Sequence, residues 1–161
     1  MTSSIMITQE NNLPAGERKK ALATVNSYLI LIQNHSVLLL LRKNTGYCDG
    51  MFGLISGHVE SGEAASSAII REAHEEAGII INKLDLQPAH IIHRMTNRIN
   101  IDIFFSCDKW QGKIENKEPE KCGGLDFYPI DLLPENTVGY IAESICLSLE
   151  GKRYSESGWI E

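Results

Sequence analysis

The chain has 161 residues, of which 43% are hydrophobic, and a net charge of −6. That length suits one globular domain with a sizeable core, and the apolar share, close to the usual globular one, gives no hint of disorder or membrane spanning. The acidic balance argues against duplex nucleic acid as a partner, although polyphosphate can still bind an acidic protein across a metal ion.

In chain order, residues 1–20 are polar, contain Pro14-Ala15-Gly16 and Arg18-Lys19-Lys20, and read as a loose arm. No basic stretch is followed by an apolar run there, so a cytoplasmic location is expected. Residues 21–150 carry the domain pattern, and residues 151–161 are set apart as a C-terminal tail. Ala23 to Ile32 and Val37 to Leu41 are apolar and broken at Asn34-His35, which predicts a β-hairpin with buried strands. The longest apolar stretch, Val37 to Leu41, is far too short to cross a bilayer, so no membrane partner is expected.

Lys43 to Phe52 reads as a loop and Leu54 to Val59 as a short strand. An alanine-rich helix is expected over Glu63 to Ala77, stopped by Gly78. Extended segments follow at Ile79 to Ile81 and His90 to Met95. Ile99, Ile101, Ile103 and Phe105 alternate with Asn100 and Asp102, the pattern of a half-buried strand with its isoleucine side on the core. Gln111 to Gly124 reads as a charged loop, Leu125 to Tyr128 as a strand, and Thr137 to Leu149 as a helix with Val138, Ile141, Ala142, Ile145 and Leu149 as its apolar stripe. Strands, helix, strands, helix imply an α+β domain, a layered α/β/α sandwich with a mixed sheet. Cys48, Cys107, Cys122 and Cys146 form no C-x-x-C pair, which points to reduced thiols and gives no support for zinc.

The chemistry is concentrated between Gly57 and Ile79. Glu72, Glu75 and Glu76 fall at i, i+3 and i+4, so a helix projects all three from one face, within an arc of about 100°. Ile69, Ile70, Ala73 and Ala77 occupy a different arc that packs inward. Like charges at this spacing repel, and a hard divalent cation with oxygen ligands compensates them. Arg71 is available to brace one of these glutamates, or Glu63 near the helix start. A plain solvated acidic face accounts for Glu75-Glu76 alone, but not for the whole pattern.

That pattern, G-x5-E-x7-R-E-U-x-E-E-x-G-U with U apolar, runs from Gly57 through Glu63, Arg71, Glu72, Glu75, Glu76 and Gly78 to Ile79. Seven positions demand one residue type, and chance gives roughly 10⁻⁹ per start position. The segment resembles the Nudix box at every position, with Ala73 as a small first U. The resemblance covers about Ala21 to Leu149. It implies an α/β/α sandwich whose box forms loop-helix-loop, and hydrolysis of a nucleoside diphosphate linked to another group. By the same resemblance Glu72, Glu75 and Glu76 bind metal, Arg71 orients Glu72, Glu63 is a structural member, and the carbonyl of Ser56 or Gly57 completes the coordination. Many members carry two glycines where this chain has Ser56-Gly57, so the turn must tolerate a Cβ.

Among Nudix proteins the chain looks most like the MutT-type nucleoside triphosphate pyrophosphohydrolases. Arg42 ends a strand where those enzymes carry a phosphate-contacting arginine, and it is otherwise a solvated strand end. Glu118, ahead of Glu120, stands where they carry a further metal-binding glutamate, and both lie in a charged loop. Asn136 stands where they carry a base-reading asparagine, and it is equally placed to cap the last helix. His58, His90 and His93 are weaker candidates for the cleft, as are Trp110, Phe127 and Tyr128 for stacking on a base.

The resemblance implies Mg²⁺ as cofactor, with Mn²⁺ as a substitute, and a small nucleotide as substrate for a monomer or homodimer. Metal ions would neutralise phosphoryl charge and lower the pKa of bound water, with Glu72 or the loop glutamate as base. A purine nucleoside triphosphate, oxidised or not, cut to monophosphate and pyrophosphate is the first substrate expected. The proline of ADP-ribose pyrophosphatases and the tyrosine of dinucleoside polyphosphate hydrolases are both missing around Arg94 to Asn97. Nucleotide sugars and ADP-ribose are the alternatives, and action on capped RNA ends ranks below them. Nudix domains that only sense a nucleotide commonly lose box glutamates, whereas this chain keeps them all.

Overall fold

The computed structural model describes residues 20–160. The arm expected at residues 1–20 therefore lies, but for Lys20, outside the described residues.

Two long strands, β1 (Ala23–Gln33) and β2 (Ser36–Arg42), open the fold. Asn34 and His35 join them with φ of 48° and 57°. Positive φ at both central residues is the hairpin geometry whose twist matches the strands. Two short strands follow, β3 (Phe52–Gly53) and β4 (Ile55–His58), and then helix α1 (Ala65–Ala77). A 3₁₀ turn at Lys83–Asp85 leads into β5 (Gln87–Met95) and β6 (Ile99–Cys107). Strand β7 (Cys122–Pro129), helix α2 (Gly139–Leu149) and strand β8 (Tyr154–Ser157) complete the order.

The eight strands make one mixed sheet with the path β3-β2-β1-β6-β5-β8, with β4 paired to β1 and β7 to β2. The N-terminal half of β1 pairs with β4, from Asn26↔His58 to Leu29↔Ile55. Its C-terminal end turns to β2, at Ile32↔Val37 and Gln33↔Ser36. The strands thus fork where β1 leaves β4 for β2, and the cleft described below opens there. On its other side β1 pairs in parallel with β6 from Ala23↔Ile99 to Leu31↔Cys107.

Each sheet face carries its own apolar cluster. Leu29, Leu31, Ile55 and Phe105 pack with Ile69, Ala73 and Ala77 of α1. Tyr28, Ile30, Phe104 and Ile92 pack with Val138, Ile141 and Ile145 around α2. Burying one such Leu or Ile stabilises by about 1.5–3 kcal/mol, so each helix is held chiefly by its inward face. All four cysteines are free thiols.

The structure departs from the sequence expectations in several places. Strand β6 is covered on both faces, and its polar side is the deeper one: Asn100 is 3% and Asp102 0% exposed. Period-two alternation marked the isoleucine side as the core side, because it could not register that α2 covers the other. Helix α1 begins at Ala65, two residues after Glu63, and α2 at Gly139, two after Thr137. Val138 precedes α2 with no side-chain cap, so Asn136 does not cap that helix. Leu149 is 51% exposed and falls off the expected stripe. Ile79 to Ile81 forms only an isolated bridge, Ile80 to Gln111. The segment set apart as a tail contributes β8, parallel to β5 over Ile91↔Tyr154 to Arg94↔Ser157. His90 is buried beneath that strand, its Nδ1 2.8 Å from the Lys152 carbonyl and its Nε2 2.8 Å from Ser155 Oγ. Trp159 donates Nε1–H to the His93 carbonyl at 2.9 Å and packs on the His93 ring.

Candidate active site

Gly78 stops α1 in the left-handed region at φ 69°, with its amide bonded back to the His74 carbonyl at 3.0 Å. This is the helix end that favours glycine. The helix lies against β4 and β1. Its outward face then presents Glu72, Glu75 and Glu76 to a cleft of about 910 Å³, lined also by Ser56, Gly57, Glu118 and Arg42.

Arg71 organises the acidic face. Its Nε and Nη2 donate to the two oxygens of Glu63 at 3.0 and 3.1 Å. Its Nη1 donates to Glu72 at 2.7 Å and to Glu75 at 3.3 Å. A fifth bond, 3.3 Å to the His58 carbonyl, ties the helix to the end of β4. Planar charge-assisted bonds of this kind fix a guanidinium in place. Arg71 thus braces Glu63 and the glutamates of the acidic face, Glu72 and Glu75, together. Glu63 also accepts the Glu60 amide at 3.1 Å, and Arg71 first and that amide second hold its carboxyl below the usual range.

Glu72 and Glu76 are shifted the opposite way. Burial raises the Glu72 pKa against the pull of Arg71, helped by the charges of Glu75 and Glu118. Glu76 is pushed up to about 8, first by burial and then by Glu72 and Glu118, while the Ser56 amide and Arg42 oppose the rise. Its Oε2 is buried with no hydrogen-bond partner. A buried orphan oxygen beside two further carboxylates is costly unless a cation completes it. The oxygen-only donor set suits a hard divalent ion. Arg71 draws Glu72 and Glu75 to itself, and among the described residues no three acidic, His or Cys groups converge at ligand spacing.

Ser56 sits in extended β4, opposite Tyr28 of β1 and outside the left-handed region, so its Cβ is accommodated. Glu118 is half-buried and lines the cleft, paired with Lys121 at 2.9 Å, whereas Glu120 is exposed and outside it. Arg42 stands at the cleft wall, held by Tyr47 O at 2.7 Å and Thr45 Oγ1 at 3.0 Å. Asn136 is not among the lining residues, and its Nδ2 donates to the Gly50 carbonyl at 2.8 Å. His58 lines the cleft, while His90 and His93 do not. Trp110 stacks on Phe127 and Tyr128 packs on Phe52, all outside the cleft lining.

Sequence reasoning missed one wall altogether. Asn26, Tyr28, Arg94 and Tyr140 line the cleft on the α2 side of the sheet, with Tyr47 and Arg98 nearby. The one available signal was the pair of polar residues, Asn100 and Asp102, inside an otherwise apolar strand.

The NUDIX domain family matches residues 23–145. An ADP-ribose pyrophosphatase of Methanocaldococcus jannaschii is 41% identical over 51 residues, which is 32% of this chain and only 30% of that relative's length. A MutT NUDIX hydrolase from Burkholderia pseudomallei superposes with a TM-score of 0.71 at 20% identity, over 77% of this chain and 96% of that one. A mutator MutT protein from Bacillus halodurans gives 0.68 at 19% identity, over 83% and 88%. At such identities the structural likeness is one of fold, while the family match spans most of the chain and includes the whole box. The chain belongs to the NUDIX domain family.

Proposed function

We propose that this protein hydrolyses nucleoside triphosphates to monophosphate and pyrophosphate with Mg²⁺ as cofactor and Mn²⁺ as a substitute. The observation that carries the reading is the buried, unpartnered Oε2 of Glu76, set among Glu72, Glu75 and Glu118 at the cleft. A diphosphate brought to these carboxylates needs cations between, and this wall has the oxygen donors for them. When bound, the metal supplies charge neutralisation at the phosphoryl oxygens and acidifies the attacking water. Glu72, Glu75, Glu76 and Glu118 would hold it, together with the Ser56 or Gly57 carbonyl.

The chain's own groups do the rest. Arg71 holds Glu72 and Glu75 in register through its single guanidinium. Glu72, half-buried and with its pKa already raised, is the better base for the proton of the attacking water. Arg42 and Lys121 supply the cationic side of the phosphate path. The domain is read as residues 21–150, with the segment beyond supplying β8. The Methanocaldococcus relative favours ADP-ribose as a second reading.

A screen of nucleoside triphosphates, ADP-ribose, nucleotide sugars and dinucleoside polyphosphates with Mg²⁺ tests the choice. Monophosphate plus pyrophosphate from a triphosphate is the expected result. Turnover of ADP-ribose or a nucleotide sugar alone would keep the family chemistry and discard the triphosphate. Metal binding with silence across the panel would point to a nucleotide sensor.

A further inference from the structure

On the α2 face, three residues from three strands form a chain into the cleft. Asn26 of β1 donates Nδ2–H to Asp102 Oδ1 at 2.7 Å, and Arg94 of β5 donates Nε–H to Asp102 Oδ2 at 2.7 Å. Asp102 is 0% exposed. The Arg94 guanidinium carbon lies 4.0 Å from the centre of the Tyr140 ring, which fixes its plane. Tyr140 is itself held by a 3.0 Å hydroxyl contact to Tyr28, and Tyr28 is stacked on Phe104. The guanidinium is therefore fixed on one edge and one face. Among the described residues neither Nη is hydrogen-bonded, and neither is a buried orphan, so both are open to the cleft that Arg94 lines.

A rigid fork of donors at a cleft needs an acceptor, and its charge balance says which kind. Asp102 neutralises Arg94 from behind, which leaves a hydrogen-bonding edge with little net attraction for an anion. The cations beside the acidic wall are others: the Arg42 charge acts on Glu76, and the Glu76 charge on Lys121. The charge acting on Arg94 is that of Asp102. The surroundings are also right for a flat heterocycle, with Leu40, Val138, Ile141 and Tyr140 lining the same cleft.

We propose that Arg94, positioned by Asp102 and Asn26, reads the nucleobase through a bidentate contact to two adjacent acceptors. Guanine offers O6 and N7, and cytosine offers O2 and N3. Adenine places a donor beside N7, and uracil places N3–H between its carbonyls. An 8-oxidised guanine carries a proton on N7 and loses half of the contact. The protein therefore prefers GTP and CTP to ATP and UTP, and GTP to its 8-oxo form. This deepens the triphosphate reading and rests on it.

The test is kcat/KM for the five triphosphates with Mg²⁺, in the wild-type chain, Arg94→Ala, Arg94→Lys and Asp102→Asn. A good bidentate pair gives about 10- to 100-fold discrimination. The expected result is that preference in the wild type, carried in KM, and its collapse in Arg94→Ala and Arg94→Lys, since lysine keeps the charge but not the fork. Asp102→Asn weakens the preference while circular dichroism shows the fold retained. Equal turnover of all five by the wild type, or an unchanged preference in both Arg94 variants, overturns the proposal. If no triphosphate is cut, the proposed function has failed, and binding of GMP, CMP, AMP and UMP to the same variants decides the fork separately. Four equal affinities in the wild type would then overturn it.

Discussion

The Glu72 carboxyl occupies the space that a Cβ on Gly57 would fill. Gly57 and Glu72, the first glutamate of the acidic face, are thus two halves of one contact between β4 and α1. Gly57→Ala is expected to push Glu72 off Arg71 and lower kcat by about 10- to 100-fold, with a smaller loss of Tm. Steady-state kinetics beside a thermal melt checks this; unchanged kcat would mean that Glu72 moves without consequence.

Glu75→Gln and Glu76→Gln should each cut turnover by orders of magnitude and leave the fold intact, with some gain in stability as like charges are removed. Near-wild-type rates in both would remove the metal role from this helix face.

Arg71 holds three carboxylates at once. Arg71→Lys keeps one charge but loses the fork, so kcat should fall by about 10-fold or more, and Arg71→Ala should fall further. In the absence of metal the alanine variant should melt earlier than wild type, and added Mg²⁺ should recover more Tm in the variant. An equal Mg²⁺ response in both proteins would show that Arg71 does not restrain the acidic face.

The Glu76 pKa, about 8 in the fold against 4.5 for the free side chain, gives a pH dependence with a definite sign. The folded state holds the extra proton between these values. The stabilising contribution is complete below about 4.5 and is lost as pH rises through about 8. Under chelator, Glu76→Gln should therefore gain Tm over wild type as pH goes from 5 to 9, by about 2–4 °C for each kcal/mol relieved. Parallel wild-type and variant curves across that window would contradict the burial of this carboxylate.

Removing residues 152–161 strips the pairing from the outer edge of β5 and takes both hydrogen-bond partners from buried His90. A loss of several degrees in Tm is expected. Arg94 pairs with Ser157 in that register, so base preference should loosen as well. A truncated chain with unchanged melt and preference would make β8 dispensable.

What could be read from the sequence was what is local. The box survives translation into structure because helical spacing alone puts Glu72, Glu75 and Glu76 together, and Gly78 ends the helix by its own backbone preference. The β1–β2 hairpin was legible for the same reason at Asn34-His35. The opposite wall was not. Asn26 and Asp102 are 76 residues apart and meet only because β1 and β6 pair in parallel at that register. Asn136 illustrates the converse: its place in the sequence suggested a helix cap or a base reader, and its side chain instead ties down the loop at Gly50.

The acidic helix and the arginine fork are embedded in separate apolar clusters on opposite faces of one sheet. Substitutions in well-separated, differently supported sites combine almost additively. On the base-reading proposal, changes in β5, β6 and α2 exchange one nucleobase for another while the acidic helix face is inherited untouched.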